Sequence, residues 1–289
     1  MTAAKLEERA DAPELASGYE TIALLSRGND FEVYDAWSCE RGARVILKTL
    51  RAELAGERRK AALLLGEGEL LVRLTHPHIV RGYETLDDGP RPVVVMETLG
   101  GQALSHMLEF DGLLDDEEAA LLGLQIGSAV RYLHSRDLLH LDLKPSNTIA
   151  ENGRAKLIDL GLAGPPGPVE KAGVGTWCYM APEQARGGRI GPEADVWGIG
   201  ATLYESLCGW PPFDDPEREI DGLMDGELEY PQLQRPARPL GEVSPAGGPL
   251  GELVDACLRP DAGRRPALPA VLATLEEVAG VPAGERRWA

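Results

Sequence analysis

Four polar side chains lie close together along the segment 140–159, in an order that suits the handling of phosphate. Asp142 is followed two residues later by Lys144 and five residues later by Asn147, and Asp159 comes twelve residues after Asn147. A carboxylate can orient an attacking hydroxyl group, a lysine can neutralise a phosphoryl group in transit, and amide and carboxylate oxygens are ligands that Mg²⁺ accepts. Phosphoryl transfer needs such a set of groups, in which asparagine and aspartate supply hard oxygen donors that suit Mg²⁺.

A hairpin early in the chain, LLSRGNDFEVYDAW (24–37), can fold over the phosphates of a nucleotide. Apolar and aromatic residues flank its turn, Arg27 to Asp30, and a strand that carries Lys48 follows closely. Loops that cover phosphates are usually rich in glycine, because a backbone without Cβ atoms lets N–H groups approach the phosphate. This turn holds one glycine, Gly28, so the sequence leaves open a working cover, a damaged one or a plain hairpin.

The elements that must position these residues change in character near residue 100. β-branched and aromatic residues predict strands over 19–26, 31–38, 43–50, 79–86 and 92–97. Apolar periodicity predicts helices over 53–74, 115–135, 193–208, 250–258 and 267–279. A strand-rich first third and a helical remainder predict an α+β protein with two lobes joined near residues 97–101.

The composition is that of an ordinary globular protein, with 43% hydrophobic and 26% charged residues in a chain of 289. The formal net charge of −18 argues against nucleic acid and against an anionic membrane surface as partners. The four cysteines lie far apart without a Cys-x-x-Cys pair, which disfavours zinc and fits the reduced thiols of a cytoplasm. No segment reads as a signal peptide or a membrane span, so we expect a soluble, cytoplasmic protein.

The spacing of Asp142, Lys144 and Asn147 resembles the catalytic loop H-R-D-L-K-x-x-N of the eukaryotic-like (Hanks-type) serine/threonine protein kinases found in many bacteria. The resemblance covers about residues 19–279, because further motifs follow in the family's order. These motifs are VILK (45–48), VVVMETLGG (93–101), DLG (159–161), GTWCYMAPEQ (175–184) and DVWGIG (195–200).

The resemblance implies a bilobal protein kinase fold, with a small β-rich N-lobe that has one long helix and a larger, mainly helical C-lobe. The expected divisions are a flexible N-terminus over 1–17, the N-lobe over 18–97, the C-lobe over 98–280 and a tail over 281–289. Asp195 would brace the catalytic loop, and Arg265 would pair with Glu183.

The resemblance also implies that ATP and Mg²⁺ take part. Lys48 would contact the α- and β-phosphates and pair with a helix glutamate, which is Glu67 or, within the uncertainty of the helix register, Glu69. The nucleotide would be covered at two positions, Gly28 and Val33, and its adenine would meet backbone atoms at two more, Glu97 and Leu99.

The implied reaction transfers the γ-phosphoryl group of Mg-ATP to a serine or threonine hydroxyl of a protein substrate. Asp142 would orient the hydroxyl and accept its proton, and Lys144 would stabilise the moving phosphoryl group. The resemblance implies that Asn147 and Asp159 are the ligands of Mg²⁺. In this family a lysine two residues after the catalytic aspartate marks serine/threonine kinases. The segment GTWCYMAPEQ (175–184) implies a protein substrate and disfavours a small-molecule kinase.

Two regions depart from the family pattern: the hairpin turn that would cover the nucleotide (the lid, residues 26–33) and the site that would hold adenine. Only Gly28 of the three lid glycines is present, Phe31 replaces the last of them, and Asp30 replaces a usual aromatic residue. Ile46 stands where a smaller alanine normally packs over adenine, and overpacking of this kind typically costs about 1–3 kcal/mol. We therefore expect weak ATP binding, with a KM towards or above roughly 1 mM.

A further departure concerns regulation. Leu141 stands in place of the arginine that holds a phosphorylated activation loop in many members, and the loop LAGPPGPVEKAGVG (162–175) contains no Ser, Thr or Tyr. The hypothesis is that phosphorylation of this loop does not control the enzyme. No sensor domain accompanies these motifs in the sequence, so a signal would come through a regulatory protein partner or through regulated expression.

The alternative to an active enzyme is a pseudokinase that acts as a binding or scaffold module. The missing lid glycines and Ile46 favour it. The presence of every charged catalytic residue disfavours it, because a scaffold needs none of them.

Overall fold

A computed structural model of the chain describes residues 13–87, 89, 91–169, 171–214 and 230–287. The chain divides after Gly100 into two compact units, at a point within the stretch 97–101 where the sequence placed the join. Unit 1 is rich in β-structure and unit 2 is mainly helical. This confirms the predicted α+β class.

Unit 1 contains a five-stranded sheet and one long helix. Its elements are β1 (Tyr19–Arg27), β2 (Phe31–Ser38), β3 (Ala43–Leu50), α1 (Arg58–Arg73), β4 (Gly82–Leu86) and β5 (Val93–Glu97). The strand order is β1-β2-β3-β5-β4, and each pair of neighbours is antiparallel. The strands begin and end close to the predicted residues because short loops with turn residues separate them.

The core of unit 1 includes residues that precede the sheet. Leu15 and Ala16 are buried in one cluster with Val45, Leu47 and Val95 of the central strands. This part of the predicted flexible segment 1–17 is therefore packed, because apolar side chains there cover the sheet; residues 1–12 lie outside the described residues.

Helix α1 begins later than predicted but runs unbroken through two glycines. Residues Ala52–Leu54 form a separate 3-10 turn, so the α-helix starts at Arg58 and not at residue 53. A Cβ atom on Gly68 would lie 2.4 Å from Thr85 and 2.7 Å from Val94. Glycine therefore allows α1 to approach the sheet closely, which offsets its low helix propensity.

Unit 2 is built around helices joined by short strands and loops. Its elements are β6 (Gln102–Ala103), α2 (Leu104–Phe110), α3 (Asp116–His134), β7 (Thr148–Glu151), β8 (Arg154–Leu157), β9 (Gly167–Val169), α4 (Pro182–Arg186), β10 (Gly188–Ile190), α5 (Pro192–Cys208), α6 (Pro231–Gln234), α7 (Gly248–Cys257) and α8 (Leu268–Val278). Among the described helices, none is both long enough and apolar enough to cross a membrane.

The segment 140–147 lies between two helices of unit 2 in the sequence, α3 and α5, and both help to position it. Helix α3 starts in a capping box, in which Asp115 accepts from the amide of Glu118 and the Glu118 carboxylate accepts from the amide of Asp115. Helix α5 is buried over nearly its whole length, including Trp197 and Tyr204. Because α5 is buried on nearly all sides, it is a rigid support for the polar side chains that it carries, which include Asp195.

Candidate active site

The segment 140–147 is anchored to a buried carboxylate at the start of α5. Asp195 Oδ2 accepts from the amide of His140 at 2.9 Å and lies 2.8 Å from His134 Nε2, while Oδ1 accepts from the amide of Leu141 at 2.8 Å. Leu141 has φ +67°, a conformation that is unfavourable for a residue with a side chain. Asp195 is 1% exposed, so its bonds hold this conformation in a water-poor environment. This is the bracing role predicted for Asp195.

The carboxylate of Asp142 is the centre of a hydrogen-bond cluster. Its Oδ2 accepts from Lys144 Nζ at 2.8 Å and from Asn147 Nδ2 at 2.9 Å. Its Oδ1 accepts from the hydroxyl of Thr176 at 2.6 Å. The residues predicted as base, cation and amide are thus brought together in unit 2, and Asp142 keeps a side-chain exposure of 15%.

Thr176 also belongs to this cluster, and it lies in the segment GTWCYMAPEQ (175–184), which the sequence connected with a protein substrate. Its hydroxyl lies 2.5 Å from Lys144 Nζ and donates to Asp142, so it joins the two from the side of the segment 175–184. The position directly before WCYMAPEQ is the signal in the sequence that points to it. The cluster already accommodates a hydroxyl group of the kind that the reaction would use.

His140 supports the catalytic segment from within the core. It is fully buried, and its Nδ1 accepts from the amide of Asp142 at 3.3 Å. Burial lowers the pKa of His140 below its usual range, against the opposing effect of the Asp195, Asp142 and Asp159 carboxylates. The imidazole is therefore neutral, with its proton on Nε2, which has no hydrogen-bond partner among the described residues.

The predicted metal ligands offer oxygen atoms that suit Mg²⁺. Asn147 ends the 3-10 turn Pro145–Asn147 and uses its NH₂ group on the backbone carbonyl and carboxylate of Asp142. Its carbonyl oxygen is the side-chain atom that remains for a cation. Asp159 follows β8, and its Oδ1 accepts from the amide of Gly161 at 2.8 Å. An amide and a carboxylate are hard donors, and Mg²⁺ usually binds few protein oxygens beside waters and phosphates.

The segment 175–184 is tied to the catalytic segment by Gln184. Its Nε2 donates to the carbonyl groups of Leu141 and Val174, both at 2.8 Å. Tyr179 donates to Glu205 of α5 at 2.5 Å, and burial raises the pKa of Glu205 although this bond opposes the change. The segment 175–184 is thereby fixed to the same buried helix as the segment 140–147.

An ion pair between Arg265 and Glu183 fixes the C-terminal end of the segment 175–184. Arg265 donates to both carboxylate oxygens of Glu183, at 2.6 and 2.8 Å, and to the carbonyl of Glu193. Such two-pronged pairing is geometrically specific for arginine. It is the pairing predicted from the sequence.

In unit 1, Lys48 on β3 pairs with Glu67 on α1. Lys48 Nζ lies 2.8 Å from both carboxylate oxygens of Glu67, and the two side chains are 9% and 2% exposed. Glu69, the alternative, is exposed. The pair fixes α1 to the sheet, because breaking a buried ion pair leaves an uncompensated charge.

The turn of the lid, Arg27 to Asp30, is tight, and it contacts residues that follow β3 in the sequence. The amide of Gly28 donates to the carbonyl of Phe31 at 2.9 Å, and the carbonyl of Asp30 accepts from the amide of Arg51 at 3.0 Å. The carboxylate of Asp30 lies 2.6 Å from Lys60 Nζ in the first turn of α1. Asp30 therefore has a cationic partner, which the sequence did not predict.

Phe31 and Val33 occupy the same face of β2, and both turn towards Lys48. Val33 is directly opposite Lys48 in the β2–β3 register. The ammonium group of Lys48 lies 5.1 Å from the centre of the Phe31 ring. This distance is within the range of a cation–π contact.

The residues predicted to meet adenine lie at the end of β5. Glu97 is its last residue, opposite Val45 on β3, and its amide donates to the carbonyl of Arg81 at 3.0 Å. Leu99 follows two residues later and is half-buried. Ile46 is opposite Met96 in the same register, so the larger side chain lies beside the strand that leads to Glu97 and Leu99.

A buried charge cluster supports the lid strand and was not foreseen. Glu32 accepts from Arg91 at 3.0 Å and from the Tyr34 hydroxyl at 3.0 Å, and it pairs with Arg27 at 2.7 Å. Burial alone would raise the pKa of Glu32, but these partners bring it below its usual value. The base of the lid is therefore firmly fixed, in contrast to its tip.

Comparison with protein families assigns nearly the whole chain to one of them. The model of the protein kinase domain matches residues 19–275. A probable serine/threonine-protein kinase of Streptomyces coelicolor is 34% identical over 210 residues, which are 69% of this chain and 31% of the relative.

Other relatives come from bacteria and animals. Serine/threonine-protein kinase PknB of Mycobacterium leprae is 32% identical over 211 residues, 70% of this chain and 34% of the relative. The maternal embryonic leucine zipper kinase of Xenopus tropicalis is 33% identical over 239 residues, 78% of this chain and 36% of the relative. The chain spans about a third of the length of the curated relatives that it matches.

Proposed function

Because the chain belongs to the Hanks-type serine/threonine protein kinase family and has its α+β fold, we propose that it transfers the γ-phosphoryl group of ATP to serine or threonine hydroxyls of protein substrates. Members of this family use ATP and Mg²⁺. The single observation that carries the proposal is the cluster in which Lys144, Asn147 and Thr176 all bond to the Asp142 carboxylate. The residues that we propose as base, cation and metal-binding amide meet there.

The chemistry follows from the atoms of this cluster. The substrate hydroxyl approaches Asp142, which orients it and accepts its proton as the new oxygen–phosphorus bond forms and the bond to ADP breaks. Lys144 neutralises negative charge on the group in transit. Mg²⁺, held by Asn147 and Asp159, supplies positive charge for the phosphate oxygens when it is bound.

The nucleotide is anchored by residues of unit 1 in this proposal. Lys48, held in place by Glu67, binds the α- and β-phosphates. Gly28 and Val33 cover them, while backbone atoms of Glu97 and Leu99 meet the adenine ring. The buried pair of Lys48 and Glu67 supports this role, because it fixes the direction of the lysine side chain.

The partners and the site of action are also proposals. The substrate is a protein in the cytoplasm, and neither nucleic acid nor a membrane is needed for binding it. Control comes from a regulatory protein partner and not from phosphorylation of the loop 162–175, which contains no hydroxyl group.

The contact between Phe31 and Lys48 is the observation that favours the alternative, a pseudokinase-like binding module with weak or no turnover of ATP. The two functions differ in what Asp142 does. A scaffold does not need its carboxylate, whereas the enzyme loses its base without it.

The experiment compares wild type with Asp142→Asn, using labelled ATP, Mg²⁺ and a generic basic protein substrate. Loss of the base is expected to lower kcat by about 10²- to 10⁴-fold. Asp261→Asn is the matched control, because Asp261 caps a 3-10 turn of unit 2 through Gly263 and asparagine caps equally well. Equal incorporation of label by wild type and Asp142→Asn would favour the scaffold.

A further inference from the structure

The side chain at the end of the lid turn occupies the approach to Lys48. A phosphate oxygen bonds to an ammonium group at about 2.8 Å. The centre of the Phe31 ring lies 5.1 Å from Lys48 Nζ, so an oxygen that approaches Lys48 from that side overlaps the ring. Phosphate binding from this side therefore requires Phe31 to move.

The tip of the lid is tied to the helix that also carries Glu67. Asp30 Oδ1 lies 2.6 Å from Lys60 Nζ. Lys60 precedes Glu67 by seven residues, or about two helical turns, so both side chains project from the same face of α1. The helix thus holds β3 through Lys48 and the lid through Asp30.

We propose that the Asp30–Lys60 ion pair is a latch that keeps Phe31 over Lys48, and that nucleotide phosphates reach Lys48 when this latch opens. Lys60 is then a positioning residue and Phe31 a gate for phosphate. This inference rests on the proposed function, because it assumes that Lys48 binds the phosphates of ATP.

The strength of the latch suits a gate that opens readily. The side chains of Asp30 and Lys60 are 40% and 33% exposed, and ion pairs with that access to water change an equilibrium by at most about 5-fold. The neighbouring backbone is held more firmly, because the Asp30 carbonyl bonds to the amide of Arg51. Opening therefore releases the side chains without unfolding the strand ends.

Simple electrostatics and the latch make opposite predictions for Lys60→Gln. Loss of a positive charge close to the lid weakens the attraction for ATP, whereas an open latch frees Lys48 and strengthens binding. Asp30→Asn does not separate the two, because it removes both the latch and a negative charge. Lys60→Gln is therefore the decisive substitution.

The test measures the dissociation constants of ATP and of adenosine by calorimetry. Lys60→Gln is expected to tighten ATP binding by about 2- to 5-fold, and Phe31→Ala by about 5-fold. Adenosine binding should stay unchanged in both variants, because adenosine has no phosphate to meet Lys48. In turnover, KM for ATP should fall while kcat stays the same.

Two controls separate the latch from a general loss of charge or structure. Arg59→Gln removes a positive charge from the exposed neighbour of Lys60 and should not tighten ATP binding. The exchange Asp30→Lys with Lys60→Asp restores the ion pair and should return ATP affinity to the wild-type value. The NMR signals of the Phe31 ring should shift in Lys60→Gln and not in Arg59→Gln, because the proposed opening moves this side chain and not the backbone, and this readout does not depend on activity.

Weaker or unchanged ATP binding in Lys60→Gln, or equal shifts for ATP and adenosine, would overturn the latch. That result is compatible with the proposed function, provided that Asp142→Asn lowers kcat by about 10²- to 10⁴-fold as expected. If neither wild type nor Phe31→Ala binds ATP, the latch and the proposed function fail together.

Discussion

The catalytic loop of unit 2 (140–147) and the lid of unit 1 (26–33) are held by bonds of opposite character. The bonds that fix the catalytic loop end on Asp195, which is 1% exposed. The ion pair that fixes the tip of the lid joins Asp30 and Lys60, which are 40% and 33% exposed. Water competes for the second contact and not for the first.

This difference shows how stiffness is distributed between the residues proposed to react and those proposed to cover the nucleotide. The catalytic loop contains a residue in an unfavourable conformation, Leu141, and a buried neutral histidine, His140. Both persist because the surroundings leave the loop no alternative. The lid has neither feature at its tip, so it can change conformation at little cost in free energy.

Among the contacts of these two regions, the largest effect is expected from Asp195→Asn, which removes an acceptor that holds the catalytic loop. The new NH₂ group would face the amide of His140 or of Leu141 and leave a buried donor without an acceptor, at a cost of about 1–3 kcal/mol. The catalytic residues would shift, and a displacement of about 1 Å can lower a rate by about 100-fold. Thermal unfolding and kcat with a basic protein substrate measure the two effects.

The control for this substitution is Asp255→Asn. Asp255 also accepts from a backbone amide in unit 2, that of Leu240 at 2.9 Å, but it does not contact the catalytic loop. Because only one oxygen of Asp255 accepts that bond and the carbonyl oxygen of asparagine can replace it, this variant should keep both stability and kcat. A full rate in Asp195→Asn would contradict the role of Asp195 as the anchor.

The elements on both sides of this comparison were predictable to different degrees. The bounds of β1, β2 and β3 follow from β-branched residues and turn residues, and α5 follows from its long apolar stretch. The short strands β6 to β10 were missed, since segments of two to four residues carry no periodicity. Helix α2 was missed because its seven residues are too few to show a clear apolar periodicity.

The site shows the same limit. The sequence placed Asp142, Lys144 and Asn147 together, because they lie within six residues on one loop. It did not find the pair of Asp30 and Lys60, which are 30 residues apart and meet only in the folded unit. Nor could it decide whether Phe31 faces Lys48, because that depends on the register of β2 on β3.

A smaller loss of stability is expected at acidic pH from His140 in the catalytic loop. The folded protein holds this imidazole neutral with a lowered pKa, whereas the unfolded chain takes up a proton below about pH 6.5. Stability is therefore lost as the pH falls below the unfolded pKa, by at most about 1.4 kcal/mol per pH unit for this one group.

Denaturant unfolding of wild type and His140→Asn between pH 7 and pH 5 measures this loss. Asparagine keeps an acceptor near the position of Nδ1 for the amide of Asp142, but it does not titrate. The variant should be less stable at pH 7 and should lose less stability on acidification. If the stability of the two proteins fell equally with pH, a group other than His140 would cause the loss.

In the lid, Gly28→Ala should change nucleotide binding without changing stability. Gly28 has no positive φ, and a Cβ atom there would meet only the carbonyl oxygen of Phe31 at 3.6 Å, an ordinary contact. Stability should stay within about 0.5 kcal/mol. ATP binding should weaken by about 3- to 10-fold, because the Cβ keeps one backbone N–H from the phosphate.

Gly66→Ala is the matched control for this substitution. Gly66 lies within α1 of the same unit, with no heavy atom within 4 Å of an added Cβ. Alanine there should raise stability by about 1 kcal/mol and leave ATP binding unchanged. A loss of stability in Gly28→Ala would make the glycine a requirement of the fold and not of the nucleotide.

No effect is expected when the protein is treated with a phosphatase. In kinases that need a phosphorylated activation loop, the phosphate orders the catalytic loop through an arginine, but Leu141 stands in that place here and is 8% exposed. Asp195 and Gln184 already bond to the backbone of Leu141, so the loop needs no phosphate to hold it. Enzyme treated with a general phosphatase, and shown by intact mass to carry no phosphate, should keep its kcat. A large loss of kcat would mean that a phosphate elsewhere in unit 2 completes the site. The catalytic loop would then depend on a reversible contact, as the lid depends on the latch.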